Sequence, residues 1–260
     1  MDRVPFLSMV FMVISCIVGF AIPVILFVYF RKKKRADIAP FFIGVIVFIF
    51  FVTVLESSVH RIVFGLPFGE IIKNNVILYA LYGGLMAAIF EETGRLIAFG
   101  LILRKNNDKS INACMYGAGH GGIEAASVLG LTMIGSLALS VSINSGLIST
   151  ILDNVGGNDL TQLKDTVNTL TMSPPYIFLL GIVERIFAVI LQISLSVLVW
   201  SSVKGKRYLF ALALLIHFVV DTLIVILNGF HVPLIYVEII FGVVSIIVAL
   251  FSRKIYVEES

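Results

Sequence analysis

The sequence predicts an all-α integral membrane protein with about seven transmembrane helices, forming a single transmembrane domain over residues 1–260. The first observation is composition, because hydrophobic residues make up 59% of the 260-residue chain, charged residues only 13%, and mean hydropathy is +1.05. A water-soluble domain of this length needs a far more polar surface. The second observation is segment length, because several apolar runs reach the roughly 20 residues that a bilayer requires.

Seven apolar segments qualify as membrane spans. The first runs from Phe6 to Phe30 and is too long for the hydrophobic region of a signal peptide, so we interpret it as a retained helix. The fourth is long enough to tilt or kink. The helices between residues 76 and 228 are expected to form the core of the bundle. The predicted spans are 6–30, 40–57, 76–103, 112–146, 176–201, 208–228 and 233–252.

The basic residues predict the orientation of these helices. Thirteen of the nineteen Lys and Arg residues lie in loops on one predicted side, and the largest group is 31–35. Cytoplasmic loops are enriched in Lys and Arg, so we expect an outside amino terminus and a cytoplasmic carboxyl terminus. The basic residues are divided among several loops and lack interleaved aromatics, which argues against nucleic-acid binding. We therefore expect a multi-pass protein of the cell membrane, most simply a bacterial plasma membrane.

Two polar segments are predicted on the outer side. Residues 58–75 are expected to form a short surface helix or a re-entrant turn. Residues 147–175 contain Leu160, Leu163, Val167 and Leu170 at helical spacing, which predicts a helix. We interpret this helix as a connection between spans, although it could also lie on the membrane surface or cover a cavity.

Several ionisable side chains lie inside the predicted spans, where each charge costs about 2.5–3.5 kcal/mol on insertion scales. They are Glu91, Glu92 and Arg95 in the third span, His120 and Glu124 in the fourth, Glu184 and Arg185 in the fifth, and His217 and Asp221 in the sixth. At about 1.5 Å per residue, most of them fall in one layer about 12–20 Å from the cytoplasmic end. The pair in the fifth span lies slightly further out. Charges from four helices at similar depth predict one shared site.

The spacing within each helix supports a shared site. Glu91 and Arg95 are separated by four residues, with the acid on the amino-terminal side, which favours their pairing. Glu92 points about 100° away from Glu91 on an α-helix. We therefore expect Arg95 to hold one glutamate while the other faces a cavity. Two further pairs share a helix face by the same spacing, His120 with Glu124 and His217 with Asp221.

These residue types can support more than one function. A carboxylate beside two histidines and a second acid can activate water as a general base. The same side chains could instead bind a divalent metal such as zinc, but no HExxH motif is present, so a metal-free site is favoured. Two other interpretations stay open: ion pairs that only hold helices together, and a small proton-coupled transporter. The lack of an inverted repeat argues against the transporter.

Three short motifs occur in order on successive predicted helices: EETGR (91–95), AGHGGIEA (118–125) and HFVVD (217–221). In this order they resemble the glutamate-type intramembrane proteases, a superfamily that includes the CAAX prenyl endopeptidases and the PrsW-type proteases. HGGIEA and the adjacent Glu184 and Arg185 resemble the YhfC family of membrane peptidases in particular. The resemblance covers about residues 40–250.

The resemblance implies an intramembrane endopeptidase that hydrolyses a peptide bond of a membrane-embedded protein or peptide. Glu91 and Glu92 would match the double glutamate that activates water, and His120 would match the histidine that shares this task. His217 and Asp221 would match the motif that binds the substrate carbonyl or the oxyanion. Around these residues we expect a supporting set consisting of Arg95, Glu124, Glu184 and Arg185.

Overall fold

The computed structural model describes residues 3–258, without the side chain at position 158, and the described residues form helices and no strand. Residues 1–2 and 259–260 of the predicted domain lie outside the described residues. The helices are, in chain order, α1 (Phe6–Lys33), α2 (Ala39–Gly65), α3 (Pro67–Lys73), α4 (Val76–Ile97, continued by the π-helical turn Ala98–Ile102), α5 (Ile111–Asn144), α6 (Ile148–Asp153), α7 (Gly157–Met172), α8 (Ile177–Val203), α9 (Tyr208–Gly229) and α10 (Leu234–Glu258), with a single 3-10 turn at Arg104–Asn106.

The all-α membrane architecture is confirmed. Within residues 3–258, six helices are long and apolar enough to cross a membrane, namely α1, α2, α5, α8, α9 and α10. The remaining predicted span corresponds to α4, a helix of 22 residues that carries Glu91, Glu92 and Arg95. The protein is therefore a multi-pass membrane protein with about seven spans. The orientation of its termini stays a prediction.

The second span is longer than predicted. Residues 58–75 were expected to form a short surface helix or a re-entrant turn, but α2 continues without a break to Gly65. The hydroxyl groups of Ser57 and Ser58 donate to carbonyl oxygens of the preceding turns, at 3.2 and 2.6 Å, so these polar residues are compatible with the helix. Pro67, whose fixed φ suits the first turn of a helix, starts the separate short helix α3.

The described chain divides into two compact units. One unit consists of Met1–Ile22 and Ala125–Arg185, and the other consists of Pro23–Glu124 and Ile186–Ser260. Each unit has its own apolar core, and the core of the second unit includes the fully buried Trp200. All five predicted catalytic residues belong to the second unit, which is therefore the one that positions the candidate site.

The predicted outward helix within residues 147–175 is present as α7, preceded by the short α6. Val167 and Leu170 are buried in the core of the first unit, and Leu163 packs against the same cluster. Because these residues recur at helical spacing, one face of α7 is apolar and the opposite face is exposed. The helix predicted from the 3.6-residue period is therefore confirmed, and its apolar face is packed.

The two helices that carry most of the ionisable residues are in close contact. Among the described residues, α4 packs extensively against α9. A Cβ atom added at Gly84 would lie 2.8 Å from the carbonyl oxygen of Phe218 and 2.9 Å from the backbone nitrogen of Thr222. Two turns later on α4, Glu92 is bonded to His217, which precedes both residues on α9. The helices are therefore antiparallel, and a small residue permits their close approach.

Glycine also brings α2 against α5. A Cβ atom at Gly119 of α5 would collide with the backbone carbonyl oxygen of Phe41 in α2. A Cβ atom at Gly44 of α2 would in turn collide with the carbonyl oxygen of Tyr116 in α5. This reciprocal contact between backbones fixes the position of α5 against α2. His120 follows Gly119 directly, so the same contact positions His120.

Replacing Gly119 with Ala is expected to lower the free energy of unfolding by about 1–3 kcal/mol, because the new methyl group meets immobile backbone. Gly83 of α4 is the matched control, since a Cβ atom there meets nothing within 4 Å. Gly83→Ala is expected to raise stability by about 0.8–1 kcal/mol through helix propensity. Thermal unfolding of both variants in detergent measures the difference, and equal effects would contradict the close contact with Phe41.

A polar cluster outside the membrane spans joins the beginning of α2 to the beginning of α5. The Asp37 carboxylate accepts hydrogen bonds from Lys109 at 2.6 Å, Asn112 at 2.9 Å and Asn106 at 3.2 Å. These bonds, led by the one from Lys109, hold the pKa of Asp37 at about 2. The carboxylate is therefore ionised at neutral pH and can accept all three donors.

Candidate active site

Glu91 lies at the centre of a hydrogen-bonded cluster in the second unit. Its Oε2 atom accepts hydrogen bonds from three side chains, His120 Nε2 at 2.8 Å, Gln192 Nε2 at 3.0 Å and Arg95 Nη2 at 3.2 Å. Its Oε1 atom makes no hydrogen bond within the described chain and faces His217 Nε2 at 3.9 Å. One oxygen of Glu91 is thus held by three donors, while the other is available.

Glu92 is in a different environment from its neighbour. Its Oε1 atom accepts hydrogen bonds from His217 Nδ1, at 2.6 Å, and from Arg95 Nη1. Its Oε2 atom is buried and has no hydrogen-bond partner among residues 3–258. The side chain is 0% exposed, whereas that of Glu91 is 8% exposed. Glu92 is therefore enclosed by protein, and Glu91 is the more accessible carboxylate.

Arg95 contacts both glutamates, so the expectation that it would hold only one of them is wrong. The two terminal nitrogens of the guanidinium group point in a fork, and Glu91 and Glu92 lie four and three residues before it on the helix. Both positions adjoin Arg95 on the preceding turn, so the fork reaches both carboxylates. The guanidinium, which is fully buried, places one positive charge between two negative charges.

His217 and Asp221 form the open side of the cluster. His217 Nε2 lies 3.4 Å from Asp221 Oδ2 and 3.9 Å from Glu91 Oε1. The side chain of His217 is only 3% exposed, but that of Asp221 is 37% exposed. A small molecule approaching the free oxygen of Glu91 therefore meets the His217 and Asp221 side of the cluster.

His120 is packed behind Glu91. Its ring is stacked on that of Tyr116, with centroids 6.0 Å apart, and the ring of Phe48 meets it edge-on at 5.2 Å. The imidazole is fully buried, and Nε2 is the atom that bonds to Glu91. A carboxylate only accepts, so His120 donates this hydrogen bond and orients Glu91.

Gln192 on α8 is a member of the cluster that the sequence analysis missed. Its amide nitrogen donates to Glu91 and, at 2.7 Å, to Glu124, and its amide oxygen accepts from Arg95. Only ionisable residues were considered when depths were compared. Gln192 lies 11 residues before the end of α8 at Val203. This separation corresponds to about 16 Å, within the predicted layer.

The structure brings most of the predicted residues together. Glu91, Glu92, Arg95, His120, Glu124, His217 and Asp221 are connected by the contacts described above, with Gln192 as the link to Glu124. Glu184 and Arg185 belong to the first unit, where Arg185 donates to Glu184. Their supporting role stays a prediction.

Comparison with known proteins identifies the family. The family model described as YhfC intramembrane metalloprotease matches residues 18–242. The chain belongs to the YhfC family. A Bacillus subtilis (strain 168) protein described as an uncharacterized membrane protein YhfC is 36% identical over 214 residues, which cover 81% of each chain. No solved structure matches the chain. The resemblance that HGGIEA and the Glu184-Arg185 pair indicated is thereby confirmed.

The description of the YhfC family as a metalloprotease implies a metal. In the part of the chain that the structure describes, no group of three or more His, Cys, Asp and Glu residues is arranged to hold a metal ion. Metal ligands need free donor atoms that converge on one point. Arg95 and the two imidazoles bond one oxygen of each glutamate, while Glu91 Oε1 and Asp221 Oδ2 lie 3.9 and 3.4 Å from His217 Nε2. The described residues therefore show no assembled metal site, and a metal-free site stays a prediction.

Proposed function

We propose that this YhfC protein is an intramembrane endopeptidase in which Glu91 activates a water molecule as a general base. The observation that carries the proposal is the asymmetry of the Glu91 carboxylate. Three donors hold Oε2, while Oε1 stays free and faces His217 Nε2 at 3.9 Å. A general base needs a fixed position together with a free lone pair directed at the proton it removes.

The environments of the two glutamates favour Glu91 over Glu92 as the base. The free oxygen of Glu92 is buried, and its side chain is fully enclosed. Its other oxygen is bonded to Arg95 and His217. Glu92 is therefore better suited to orient the Arg95 and His217 side chains than to accept a proton from water. The sequence analysis did not decide which of the two glutamates is the base, and this assignment chooses Glu91.

The reaction requires no group beyond water and the side chains of the cluster. Glu91 Oε1 takes a proton from water while the water oxygen attacks the scissile carbonyl carbon. His217, positioned by Glu92 and Asp221, donates a hydrogen bond to the oxyanion that develops on the carbonyl oxygen. The carbon–nitrogen bond then breaks, and Glu91 returns the proton to the leaving amine. His120 and Arg95 act through Glu91 by holding its second oxygen.

The position of the cluster indicates the class of substrate. Every residue of the cluster lies on a helix predicted to span the membrane, and His217 and Asp221 are on α9, which is apolar enough to do so. The accessible side is marked by Asp221. Because the cluster lies within predicted spans, we propose a membrane-embedded protein or peptide as substrate.

The function is tested with purified protein in lipid vesicles that contain a mixture of single-span membrane peptides and water labelled with heavy oxygen. We expect peptide cleavage, with one heavy oxygen atom in each new carboxyl group, and no loss of activity after treatment with EDTA or phenanthroline. Loss of cleavage on chelation, restored by zinc, would overturn the metal-independent mechanism. Absence of cleavage together with proton or solute uptake that Glu92→Gln abolishes would instead establish the transporter.

A further inference from the structure

The side-chain amide of Gln192 lies between two carboxylates and one guanidinium group. Its nitrogen donates to Glu91 Oε2 at 3.0 Å and to Glu124 Oε2 at 2.7 Å, and its oxygen accepts from Arg95. The carboxylates can only accept and the guanidinium can only donate, so a single orientation of the amide satisfies all three neighbours. The residue is 5% exposed, so water does not compete for these bonds.

The stem of Gln192 is also restrained. A Cβ atom added at Gly121 of α5 would lie 2.9 Å from the Cβ atom of Gln192. The absence of a side chain at Gly121 therefore allows α8 to approach α5 closely at this point. Both amide hydrogens are used, one for each carboxylate, so the bond to Glu124 helps to keep the other hydrogen directed at Glu91.

The terminal torsion of a glutamate side chain has no strong preference of its own, so its neighbours decide how the plane of the carboxylate is oriented. Rotation of this plane at Glu91 would carry one oxygen away from the donors His120, Arg95 and Gln192 and the other away from His217. Of these three donors, Gln192 is the one on α8. It therefore adds a third direction of restraint to those from α4 and α5.

We propose that Gln192 is a positioning residue that keeps the Glu91 carboxylate ionised and directs its Oε1 atom toward His217 and Asp221. The inference rests on the proposed function, because it describes how the base of that reaction is prepared. A donor to an ionised carboxylate favours the ionised form over the protonated one. Gln192 thereby adds to the donors that favour the ionised form and helps to fix the direction of the base.

Other charged and titratable groups also act on Glu91, and the test must distinguish them from Gln192. Those facing it are Arg95 and Glu92 on α4, His120 and Glu124 on α5, His217 and Asp221 on α9, and Glu56 on α2. All of them are retained in the variant Gln192→Met. Methionine is apolar and similar in size to glutamine, so this change removes the hydrogen bonds with little change in volume.

Protonation of Glu91 is followed by infrared spectroscopy, in which Glu91→Gln identifies the carboxyl band. In Gln192→Met we expect Glu91 to take up its proton about one to two pH units higher than in the unmodified protein, because a hydrogen bond to a charged group contributes about 1.5–3 kcal/mol. The control is Ser194→Ala on the same helix. It removes a buried hydroxyl that donates to a carbonyl of α8 at 2.7 Å and does not touch the cluster.

The kinetic measurement complements the infrared titration. We expect Gln192→Met to lower kcat about tenfold to a hundredfold with little change in KM, and to move the acid limb of the kcat/KM profile to higher pH. Ser194→Ala should leave kcat, KM and the pH profile unchanged. A structural role alone would lower thermal stability without moving the acid limb.

The possible results separate this inference from the proposed function. If the protonation of Glu91 does not move in Gln192→Met, or moves equally in Ser194→Ala, the inference is overturned whether or not cleavage occurs. If protonation moves while Glu91→Gln cleaves as well as the unmodified protein, the proposed function fails and the effect of Gln192 on Glu91 stands. If protonation moves and kcat falls only in Gln192→Met, both are supported.

Discussion

The variant Glu91→Gln should lose nearly all peptidase activity. We expect kcat to fall by about 10²–10⁴-fold, which is the usual contribution of a general base, while KM changes little. The amide preserves the shape of the side chain but removes the charge that accepts the proton of water. The atom concerned is Oε1, which faces His217 Nε2 at 3.9 Å and makes no hydrogen bond in the described chain. The measurement is the initial rate of cleavage in lipid vesicles.

Glu92→Gln is the matched control for this prediction, because it makes the same chemical change one residue along the same helix. Glu92 is fully enclosed and bonded to Arg95 and His217, so we expect it to act through these residues. Its variant should retain at least about tenfold more activity than Glu91→Gln, well within the range of a general-base contribution. Equal losses, or a greater loss in Glu92→Gln, would show that Glu91 is not the general base.

The second large effect concerns stability. Replacing Arg95 with Met is expected to lower the free energy of unfolding by about 3–5 kcal/mol, the usual cost of leaving buried charge without its partner. The guanidinium is fully buried and contacts Glu91, Glu92 and Gln192. At about 2–4 °C per kcal/mol, the thermal midpoint should fall by at least about 6 °C. Thermal unfolding in detergent or vesicles is the measurement.

A second substitution distinguishes lost charge balance from lost packing. In the double variant Arg95→Met, Glu92→Gln one of the two uncompensated carboxylates becomes neutral, so part of the stability should return. If the double variant is less stable than Arg95→Met, the electrostatic explanation fails. Arg95→Lys keeps the charge, but a single ammonium group cannot reproduce the fork to both glutamates. It should therefore be more stable than Arg95→Met and still impaired in catalysis.

The membrane class and most helix positions followed from local properties of the chain. Spans were predicted from apolar length alone, and the fourth, predicted at 112–146, is observed as Ile111–Asn144. This worked because a segment in lipid must bond its own backbone internally, which leaves the helix as the usual solution. The end of α2 was missed because residues 58–75 form a polar segment. The helix nevertheless continues to Gly65, and the hydroxyls of Ser57 and Ser58 are bonded within it.

The residues that form the site could be predicted in part, for a related reason. Depth along a helix is proportional to residue number, so counting residues placed His120, His217 and the glutamates in one layer. The same count would have included Gln192 had neutral polar residues been considered. What made Gln192 hard to select is that an amide inside a span is inexpensive compared with a charge, so its position alone does not require a partner.

The sequence by itself determined that this protein spans the membrane, that it belongs with the YhfC proteins, and that its acids and histidines share one depth. The tertiary structure decided the contacts within that layer. Only the packing of α8 and α9 against α4 and α5 shows that Arg95 serves two glutamates, that three donors hold one oxygen of Glu91, and that the other oxygen is free. Periodicity specifies the face of a helix, whereas the rotation of neighbouring helices and the terminal torsions of side chains depend on contacts between distant segments.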